Sequence, residues 1–441
     1  MPLLGTRGAA SAMGFGLFGA VGPTPTYWIG LLGAAGSAEN GSSVAVDSSS
    51  NVYVCGANAG GGNFEFAKYN SVGVIQWQRS LGGSGTSYGR AIATDASGNV
   101  YVAGNSDINA SATNNYQIAK YNSTSTLQWQ YSLGASNEER VYGIAVDASS
   151  NVYLCGYIFD GTSVDNGIVK LNSSGTLQWQ RRLGSSGSDD AGFGIAVDAS
   201  GNVYTCGYTT APGSNAFLLA KYNSSGTIQW QRRLWGSSGN QSTGQSVAVD
   251  NSGNAYVCGY STAAGNNDIQ LAKYDTSGTL QWQRRLSSSS ADLGMSVALD
   301  SSANVYLVGY SNTSGANNYQ IAKYNSSGAI QWQRSLGGSA SADRGLGITV
   351  DSAGGVCVNG YSNVGGDDDF LFARLPSDGS KTGTYTVGGY SIDYSASSLT
   401  DAASSLTSAT TSLTDSTGGL AQASSSLTSS TSSYTSSVTT I

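Results

Sequence analysis

Short runs of alternating apolar and polar residues recur along most of the chain. A typical unit holds four such runs, Ser246–Asp250, Asn254–Gly259, Ile269–Tyr274 and Leu280–Leu286. Each run is rich in β-branched and aromatic residues and is bounded by Gly, Ser, Asn and Asp, which favour turns. The pattern predicts four short β-strands in each unit, and no helical period interrupts it.

The unit repeats along the chain with a nearly constant spacing. Its best-defined part is the motif V-A-V-D-x-S-x-N-V-Y-x-C-G, whose Asp recurs at steps of 48, 52, 51, 52, 50 and 51 residues: Asp47, Asp95, Asp147, Asp198, Asp250, Asp300 and Asp351. Six units also carry a Trp within Q-W-Q, namely Trp77, Trp129, Trp179, Trp230, Trp282 and Trp332. Seven copies of a four-stranded meander predict an all-β protein, a seven-bladed β-propeller of four-stranded antiparallel blades.

The repeats define three parts of the chain. A propeller over residues 27–390 follows a short N-terminal arm (1–26) and precedes a Ser/Thr-rich tail (391–441). The segment Tyr27–Leu32 resembles a fourth strand that precedes the first complete repeat, and we expect it to complete the last blade. Thr384–Gly389 then leads into the tail, with Tyr385 near the place of the missing Trp; the converse assignment stays open.

The blade motif is similar to that of a known family. The run G-I-A-V-D-A-S-G-N-V-Y-T-C-G at 194–207 resembles the bacterial seven-bladed β-propeller repeat family, a relative of NHL-type blades. The resemblance covers residues 27 to about 390 and implies the propeller fold. It implies little about function, because these blades serve many extracellular roles. The chain departs from the family pattern in its Q-W-Q-R-R-L fourth strand and in a weak last copy.

The tail has a strict seven-residue rhythm of larger residues: Ile392, Leu399, Leu406, Leu413, Leu420, Leu427, Tyr434 and Ile441. Seven is the period of a coiled coil, but Ser and Thr are mediocre helix formers, so a lone helix is not expected. We predict association into a slim bundle, a trimer in the first instance, with the five leucines as assembly residues. Docking on another subunit and a disordered, O-glycosylatable stalk are the alternatives.

Charge and composition narrow the function classes. Charged residues make up 11% of the chain and the net charge is −7, which disfavours nucleic acid as the main partner. No apolar stretch has the roughly 18–20 residues of a membrane span. Histidine is absent, so no Ser-His-Asp set or zinc motif can be assembled. We expect no catalytic residues, no metal and no cofactor, although paired Asp residues leave a glycan-degrading enzyme as an alternative.

Cysteines and most basic residues follow the blade period. Cys55, Cys155, Cys206 and Cys258 occupy the same place in successive repeats, which predicts buried apolar roles rather than disulfides. Most of the 20 Lys and Arg residues recur on the third and fourth strands. We therefore expect them to pack along neighbouring strands as part of the scaffold.

The two faces of the predicted disc differ. The turns D-x-S-x-N and Y-N-S-S-G are nearly invariant, whereas the loops on the other face vary: Asp107–Asn115, Asn137–Val141, Phe159–Gly167, Gly236–Thr243 and Gly365–Asp369. Repeat scaffolds display such differences on a binding face, and solvated loops chosen for solubility are the alternative. The candidate ligand-binding residues on this face are Tyr116, Tyr157, Asp189, Asp190, Tyr319, Asp367, Asp368 and Asp369.

The N-terminal run G-T-R-G-A-A-S-A-M-G-F-G is similar to N-terminal segments of tailed-phage virion proteins, notably fibres of aquatic phages. Glycines interrupt its apolar part, which disfavours a signal peptide. This resemblance favours a virion structural protein, a tail fibre or appendage whose propeller binds a host-surface polysaccharide or receptor. Its partners would be other virion subunits and further copies of itself. The alternative is a secreted or cell-surface bacterial protein that assembles into extracellular filaments.

Overall fold

The structure is a computed structural model that describes most of the chain. The described residues are 26–33, 38–58, 62–82, 85–106, 114–134, 137–159, 161–211, 213–236, 240–312, 315–338, 341–410, 414–417, 421–424, 428–430 and 435–441. These residues form strands and turns, and they contain no helix that is long and apolar enough to cross a membrane. The predicted N-terminal arm lies outside the described residues, apart from Thr26.

Seven antiparallel sheets form the seven predicted blades, and their innermost strands contact one another in a closed ring. These inner strands are β2 (Glu39–Val46), β6 (Ser87–Thr94), β10 (Glu139–Val146), β14 (Asp190–Val197), β18 (Ser242–Val249), β22 (Asp292–Leu299) and β26 (Asp343–Val350). Each begins about four residues earlier than the sequence pattern predicts. The polar residues at their starts look like loop residues, but they pair with the second strand.

The other three strands of each blade follow outward in chain order. The second strands are β3 (Val52–Asn58), β7 (Val100–Ser106), β11 (Val152–Phe159), β15 (Val203–Thr209), β19 (Ala255–Ser261), β23 (Val305–Ser311) and β27 (Gly355–Ser362). The third are β4 (Phe64–Tyr69), β8 (Asn115–Tyr121), β12 (Val164–Leu171), β16 (Ala216–Tyr222), β20 (Asp268–Tyr274), β24 (Asn318–Tyr324) and β28 (Asp369–Pro376). The fourth are β1 (Trp28–Gly33), β5 (Ile75–Gly82), β9 (Leu127–Gly134), β13 (Leu177–Gly184), β17 (Ile228–Trp235), β21 (Leu280–Ser287) and β25 (Ile330–Gly337).

Strand β1 closes the ring, as predicted. It pairs antiparallel with β28 and so becomes the fourth strand of blade 7, after the last complete repeat. Trp28 takes the Trp place of that blade: its Nε1 donates to the Ser71 carbonyl of blade 1 at 3.3 Å, as Trp77 donates to Ser123 of blade 2 at 3.4 Å. The placement of Tyr385 near this position was wrong. Trp28 packs on Gly73, where an added Cβ would lie 3.0 Å from the indole.

One carboxylate organises the first turn of each blade. Asp47 Oδ1 accepts hydrogen bonds from the backbone N–H of Ser49 at 2.9 Å and of Asn51 at 3.0 Å. Its Oδ2 accepts from Asn51 Nδ2 at 2.7 Å and from the Tyr53 hydroxyl at 2.9 Å. The next five blades repeat these bonds, which explains why the Asp, Asn and Tyr of the motif recur together.

Blade 7 replaces this arrangement with a different buried one. Gly355 and Cys357 stand where the other blades have Asn and Tyr, and Arg374 replaces the Lys of the third strand. Arg374 is 1% exposed, and its Nε donates to Asp351 Oδ2 at 2.6 Å. A Cβ on Gly355 would lie 2.6 Å from that Nε, so the missing side chain makes room for the arginine. The last copy matches the motif weakly because its changes compensate one another: the missing side chain at residue 355 makes room for Arg374.

The tail is not a coiled coil, because its described residues form β-strands. Seven short strands run around the outside of the ring, and we call them the belt: β30 (Tyr390–Ala396), β31 (Thr400–Ala403), β32 (Thr407–Thr410), β33 (Thr414–Thr417), β34 (Ala421–Ser424), β35 (Thr428–Ser430) and β36 (Thr435–Thr440). They add a fifth strand to blades 6, 5, 4, 3, 2, 1 and 7 in that order. A preceding strand, β29 (Gly383–Val387), forms a hairpin with β30.

The seven-residue rhythm is the step from one blade to the next. Leu399 is 3% exposed and packs between blades 5 and 6, and Leu406 is 4% exposed and packs between blades 4 and 5. Seven extended residues span about 23 Å, which carries the chain from one fourth strand to its neighbour. Leu413, Leu420 and Leu427 lie outside the described residues. Leu399 and Leu406 thus bind their own propeller instead of forming a helical seam.

The five cysteines are buried and form no disulfide, as predicted for four of them. Burial raises the pKa of the Cys258 thiol to about 12. These thiols therefore act as small apolar side chains in the packing between blades.

The blade 7 arrangement predicts a coupled pair of substitutions. We expect Gly355→Asn to lower the free energy of unfolding by about 1–3 kcal/mol, because the new side chain collides with Arg374. Adding Arg374→Lys should recover part of the loss, with a coupling of about 0.5–3 kcal/mol. Urea unfolding of both single variants and the double variant measures it. Ala353→Asn is the control, since Ala353 is exposed in the same turn; additive effects at 355 and 374 would contradict the prediction.

The belt predicts a local effect for one of its leucines. Leu406→Ala removes a buried side chain, at a typical cost of about 2–5 kcal/mol. We expect hydrogen exchange to accelerate in β32 and in the adjoining edge of β17, while the molecular mass stays constant. Thr407→Ala is the matched control, because Thr407 is exposed. A change in oligomeric mass without faster exchange would instead support a helical seam.

Candidate functional site

Two of the predicted ligand-binding tyrosines are core residues. Tyr116 lies in β8 and Tyr319 in β24, and both are 0% exposed. The Tyr319 hydroxyl donates to the Leu371 carbonyl of the next blade at 2.6 Å. Their prediction as ligand residues was wrong, because the third strands begin before them and the two-residue period turns them towards the neighbouring blade.

The predicted acidic residues are divided between buried and open positions. Asp190 is the first residue of β14 and is 0% exposed, whereas Asp189 is exposed and accepts from the Val164 N–H at 3.2 Å. Asp367 is exposed, and Asp368 Oδ1 accepts from Asn363 Nδ2 at 3.3 Å. Burial, followed by the neighbouring Asp367 and Asp368, raises the pKa of Asp369. Because Asp190 is buried, a ligand cannot reach its carboxylate.

Tyr157 leads to a site that the sequence analysis did not find. It lies in β11, half-buried, with its ring centroid 6.0 Å from that of Tyr142 and 5.9 Å from Arg140 Cζ. Both neighbours belong to the inner strand β10. The contact places Tyr157 beside the innermost strands, where the seven blades surround the axis of the propeller.

A β-bulge recurs in every inner strand and carries a different residue in each blade. The residues at which the register shifts are Ser42, Arg90, Tyr142, Phe193, Gln245, Met295 and Leu346. Bulges re-aim a side chain out of the regular pleat and are common beside functional sites. The β-bulge is present in every blade, while its residue differs from blade to blade. These positions therefore form a ring in which each blade can carry a different side chain.

The bulge residues of blades 2, 3 and 4 join neighbouring rings in one continuous cluster. Arg90 Cζ lies 5.3 Å from the ring centroid of Tyr88 and 5.7 Å from that of Tyr142. Tyr142 and Phe193 meet edge-to-face with centroids 5.0 Å apart, and Phe193 contacts Tyr208 at 5.8 Å. We call the set the aromatic–arginine cluster: Tyr88, Arg90, Arg140, Tyr142, Tyr157, Phe193 and Tyr208.

The cluster holds a cation that is not neutralised. No carboxylate of the described residues lies within ion-pair distance of Arg90, and its Nε is buried without a hydrogen-bond partner among them. Burial, and then the nearby Arg140, lower the pKa of Arg90. Arg140 differs, because its Nε donates to Glu138 Oε1 at 2.6 Å. Burial opposes its charge, yet Tyr157 and Glu138 together raise its pKa.

A third arginine lies near the axis in blade 7. Arg344 Cζ is 5.0 Å from the Tyr310 ring and 5.7 Å from the Tyr361 ring. Burial raises the pKa of Tyr361, while Arg344 opposes that shift. The inner strands of the neighbouring blades carry Leu293 and Met295 (blade 6) and Gln245 (blade 5). The site thus combines cationic, aromatic, apolar and amide groups.

The opposite end of the axis holds a hollow whose polar groups are mostly engaged in hydrogen bonds. A cavity of about 400 Å³ is lined by the turns of blades 5, 6 and 7, including Asp250, Asp300 and Asp351. Those carboxylates already accept backbone and side-chain hydrogen bonds within their own turns. The turns of blades 5 and 6 that line it are nearly identical, so the hollow offers less to distinguish a ligand than the aromatic–arginine cluster.

A signal for the cluster was present in the sequence. Most basic residues are blade-periodic scaffold, as Arg181 illustrates by donating from Nε to the Gly226 carbonyl at 2.6 Å. Arg90, Arg140 and Arg344 are exceptions to that period and fall on inner strands. Asking which arginines break the repeat would have found them. Their meeting with tyrosines from the second strands required the tertiary structure.

The buried acid at the junction of blades 3 and 4 predicts a pH effect. Burial, together with Asp165 and Asp189, raises the pKa of Asp190 to about 6, although bonds from Thr209 and the Ser185 N–H oppose the shift. A carboxyl whose folded pKa exceeds its unfolded value stabilises the fold below the unfolded pKa, and this contribution is lost as the pH rises through about 6. Asp190→Asn should therefore gain about 1–2 kcal/mol at pH 7 and nothing near pH 4.

Thermal unfolding at the two pH values measures this difference. Asp367→Asn makes the same charge change at an exposed site in another blade and serves as the control. A gain for Asp190→Asn that is equal at both pH values would contradict the assignment of the effect to the ionised carboxylate.

Comparisons with known proteins agree with the fold. The profile of the family described as Beta-propeller repeat matches residues 28–65, 76–109, 178–213 and 229–265. No curated protein matches the chain. Similar solved structures include hydrazine synthase of Kuenenia stuttgartiensis, at 12% identity over 70% of this chain and 95% of that chain with a TM-score of 0.44.

A second similar structure is Sqt1 of Chaetomium thermophilum, at 12% identity over 78% of this chain and 97% of that chain with a TM-score of 0.41. Neither likeness carries an argument about function. The four family matches lie in a ring of seven equivalent blades, and the same motif continues through the unmatched ones. The chain thus carries the repeat described as Beta-propeller repeat in four segments and folds as a seven-bladed β-propeller.

Proposed function

We propose that the chain is a non-catalytic binding protein that captures an acidic glycan in the aromatic–arginine cluster. The observation that carries the proposal is Arg90, a guanidinium held against two aromatic rings with no carboxylate of the described residues to pair with it. A buried cation is costly unless it is paired. A carboxylate on the ligand would supply that pair through two parallel N–H···O bonds, the geometry that arginine favours.

The surrounding residues suit a sugar. Tyr142, Tyr157 and Tyr208 are half-buried, so each offers a ring face and a hydroxyl at the same place. Asn40 and Thr243 occupy the position of Arg140 in other inner strands and add neutral hydrogen-bonding groups. A mostly apolar lining with a few convergent polar groups is typical of a small-ligand site. The cluster therefore suits a ring-shaped ligand that carries hydroxyls and one negative charge.

The setting that we propose is outside the cell, with the propeller displayed on an appendage of a tailed phage and the glycan on the host surface. The resemblance of the N-terminal run supports this setting. A secreted bacterial filament protein is the alternative. Immunogold labelling of native material distinguishes the two: label on virions favours the phage, and label along filaments or on cell surfaces contradicts it.

The binding proposal predicts the effect of a single substitution. Arg90→Gln in the full-length chain should weaken binding of polygalacturonate, a uronic-acid polymer, by roughly 10- to 100-fold. A charge-assisted hydrogen bond contributes about 1.5–3 kcal/mol, and each 1.4 kcal/mol is tenfold in affinity. Isothermal titration calorimetry measures the change. Added salt should weaken binding by the unsubstituted chain, because the interaction is ionic.

Lys381→Gln is the matched control, since it makes the same charge change at an exposed residue far along the chain. Dextran, a neutral polysaccharide, is the ligand control and should bind weakly or not at all. Equal affinity for the two polymers, or equal effects of the two substitutions, would overturn the acidic-glycan assignment. Loss of polygalacturonate over time would instead indicate a glycan-degrading enzyme.

A further inference from the structure

Blades 3, 4 and 5 carry a second arginine directly after the scaffold arginine of the fourth strand: Arg182, Arg233 and Arg285. In blades 3 and 5 this arginine has an acidic partner on the third strand of its own blade. Arg182 Nε donates to Asp165 Oδ2, and Arg285 Nη1 lies 3.6 Å from Asp268 Oδ2. Both aspartates are buried. The chain thus contains two examples of how an arginine at this place is neutralised.

Blade 4 keeps the arginine without the acid. Ala216 stands where blades 3 and 5 have the aspartate, since it precedes Phe217, the partner of Leu234 in the strand ladder. No carboxylate of the described residues lies within ion-pair distance of Arg233, and its buried Nε has no hydrogen-bond partner among them. The Nε of Arg90 in the aromatic–arginine cluster is in the same condition.

A tryptophan lies beside this unpaired arginine. Trp235 ends the fourth strand of blade 4, where blade 3 has Gly184 and blade 5 has Ser287. Arg233 Cζ lies 4.4 Å from the centroid of the Trp235 ring. Both side chains are half-buried, so solvent reaches part of each. A guanidinium that is stacked on a ring keeps the N–H groups at its edge for a planar acid.

Arg233 faces blade 3, which supplies three residues of the aromatic–arginine cluster. Its direct partner is Leu218, which packs between blades 3 and 4, and direct partners in a ladder project from the same face of a sheet. The row continues through Gly207 to Gly192, the neighbour of Phe193 in the cluster. Three strand spacings of about 4.8 Å place Arg233 about 14 Å from the cluster along this row. A single sugar ring is shorter than that distance, whereas a polysaccharide covers it.

The acids at the same junction of blades are engaged elsewhere. Asp189 Oδ1 accepts from the Val164 N–H at 3.2 Å, and Asp190 Oδ2 accepts from the Ser185 N–H at 3.0 Å. Neither carboxylate lies within ion-pair distance of Arg233. The guanidinium of Arg233 is therefore left for an acid that comes from outside the protein.

We propose that Arg233 and Trp235 form a second subsite, which binds a further carboxylate of the same acidic polysaccharide. This inference rests on the proposed function, in which Arg90 binds the first carboxylate. The guanidinium of Arg233 pairs with the carboxylate through two parallel N–H···O bonds, and the Trp235 ring packs against the sugar that carries it. The second binding event is intramolecular once the first subsite is filled, so the two subsites together favour a polymer over a single sugar.

Ligands of two lengths test the second subsite in the full-length chain. Arg233→Gln should weaken binding of polygalacturonate by roughly tenfold or more, and should leave binding of galacturonate, the single sugar, unchanged within about twofold. Arg90→Gln should weaken binding of both. Isothermal titration calorimetry measures the polymer, and saturation-transfer NMR measures the single sugar. Arg285→Gln is the matched control, because it makes the same change at the equivalent place of blade 5, where Asp268 already pairs with the arginine.

A second variant transfers the pattern of blade 3 into blade 4. Ala216→Asp with Trp235→Gly places an aspartate and a glycine where blade 3 has Asp165 and Gly184. This variant should bind the polymer about as weakly as Arg233→Gln does, because the arginine is then neutralised within the protein.

Three results would overturn the second subsite while the site at Arg90 stands: polymer binding by Arg233→Gln equal to that of the unsubstituted chain, equal losses for Arg233→Gln and Arg285→Gln, or a loss of single-sugar binding as large as the loss of polymer binding. Failure of the unsubstituted chain to bind either ligand would overturn the proposed function, and the subsite with it.

Discussion

The structure depends on covering the edges of its sheets. A strand with unpaired N–H and C=O groups is open to association with any other strand, and seven radial sheets expose seven such edges. The inner edges meet in a ring, and the fourth strands are covered by the belt. Both ends of the propeller meet in blade 7, where β1 pairs with β28 on one side and with β36 on the other. Closure and edge protection therefore come from the same two segments outside the repeats.

Blade 7 shows how a repeat adapts when it must also close the ring. Arg374 binds Asp351 and donates from Nη1 to the Thr26 carbonyl at 2.6 Å, so one side chain serves both the turn and the incoming strand. A lysine in this position would lack the rigid, planar guanidinium through which Arg374 forms both bonds. The backbone N–H of Ile441 donates to the Tyr27 carbonyl at 2.9 Å and brings the other end of the chain to the same place. The irregular repeat is thus the one on which the whole ring closes.

The regular blades leave room for specificity near the start of each inner strand. The β-bulge keeps its place in all seven inner strands while its residue ranges from Ser42 to Arg90 and Phe193. Packing between blades constrains most other residues of these strands, because they are buried against their neighbours, whereas the second residue is half-buried in blades 1, 2, 3, 6 and 7. A ligand site can therefore be built by changing bulge residues without loss of the fold. The aromatic–arginine cluster concentrates that freedom in blades 2, 3 and 4.

Most of the fold was determined by the sequence itself. The Asp, Asn and Tyr of the motif form their bonds within one turn, and the two-residue period of each strand depends only on its own residues, so blade number and strand order were readable. Strand β1 was predictable as the strand that completes the last blade, because it stands before the first complete repeat without the other three strands of a blade. The tail was different. A seven-residue period is shared by a coiled coil and by a strand that steps from blade to blade, and only the distance between neighbouring blades distinguishes them.

The site was decided by tertiary structure for a similar reason. Tyr116 and Tyr157 both lie on strands next to variable loops, but one side chain packs between blades and the other contacts an inner strand. Arg90, Tyr142 and Phe193 are about fifty residues apart in sequence and become neighbours because consecutive blades stand side by side. Local chemistry determined the blades of this protein. The packing of blades around the axis determined which side chains meet at its centre.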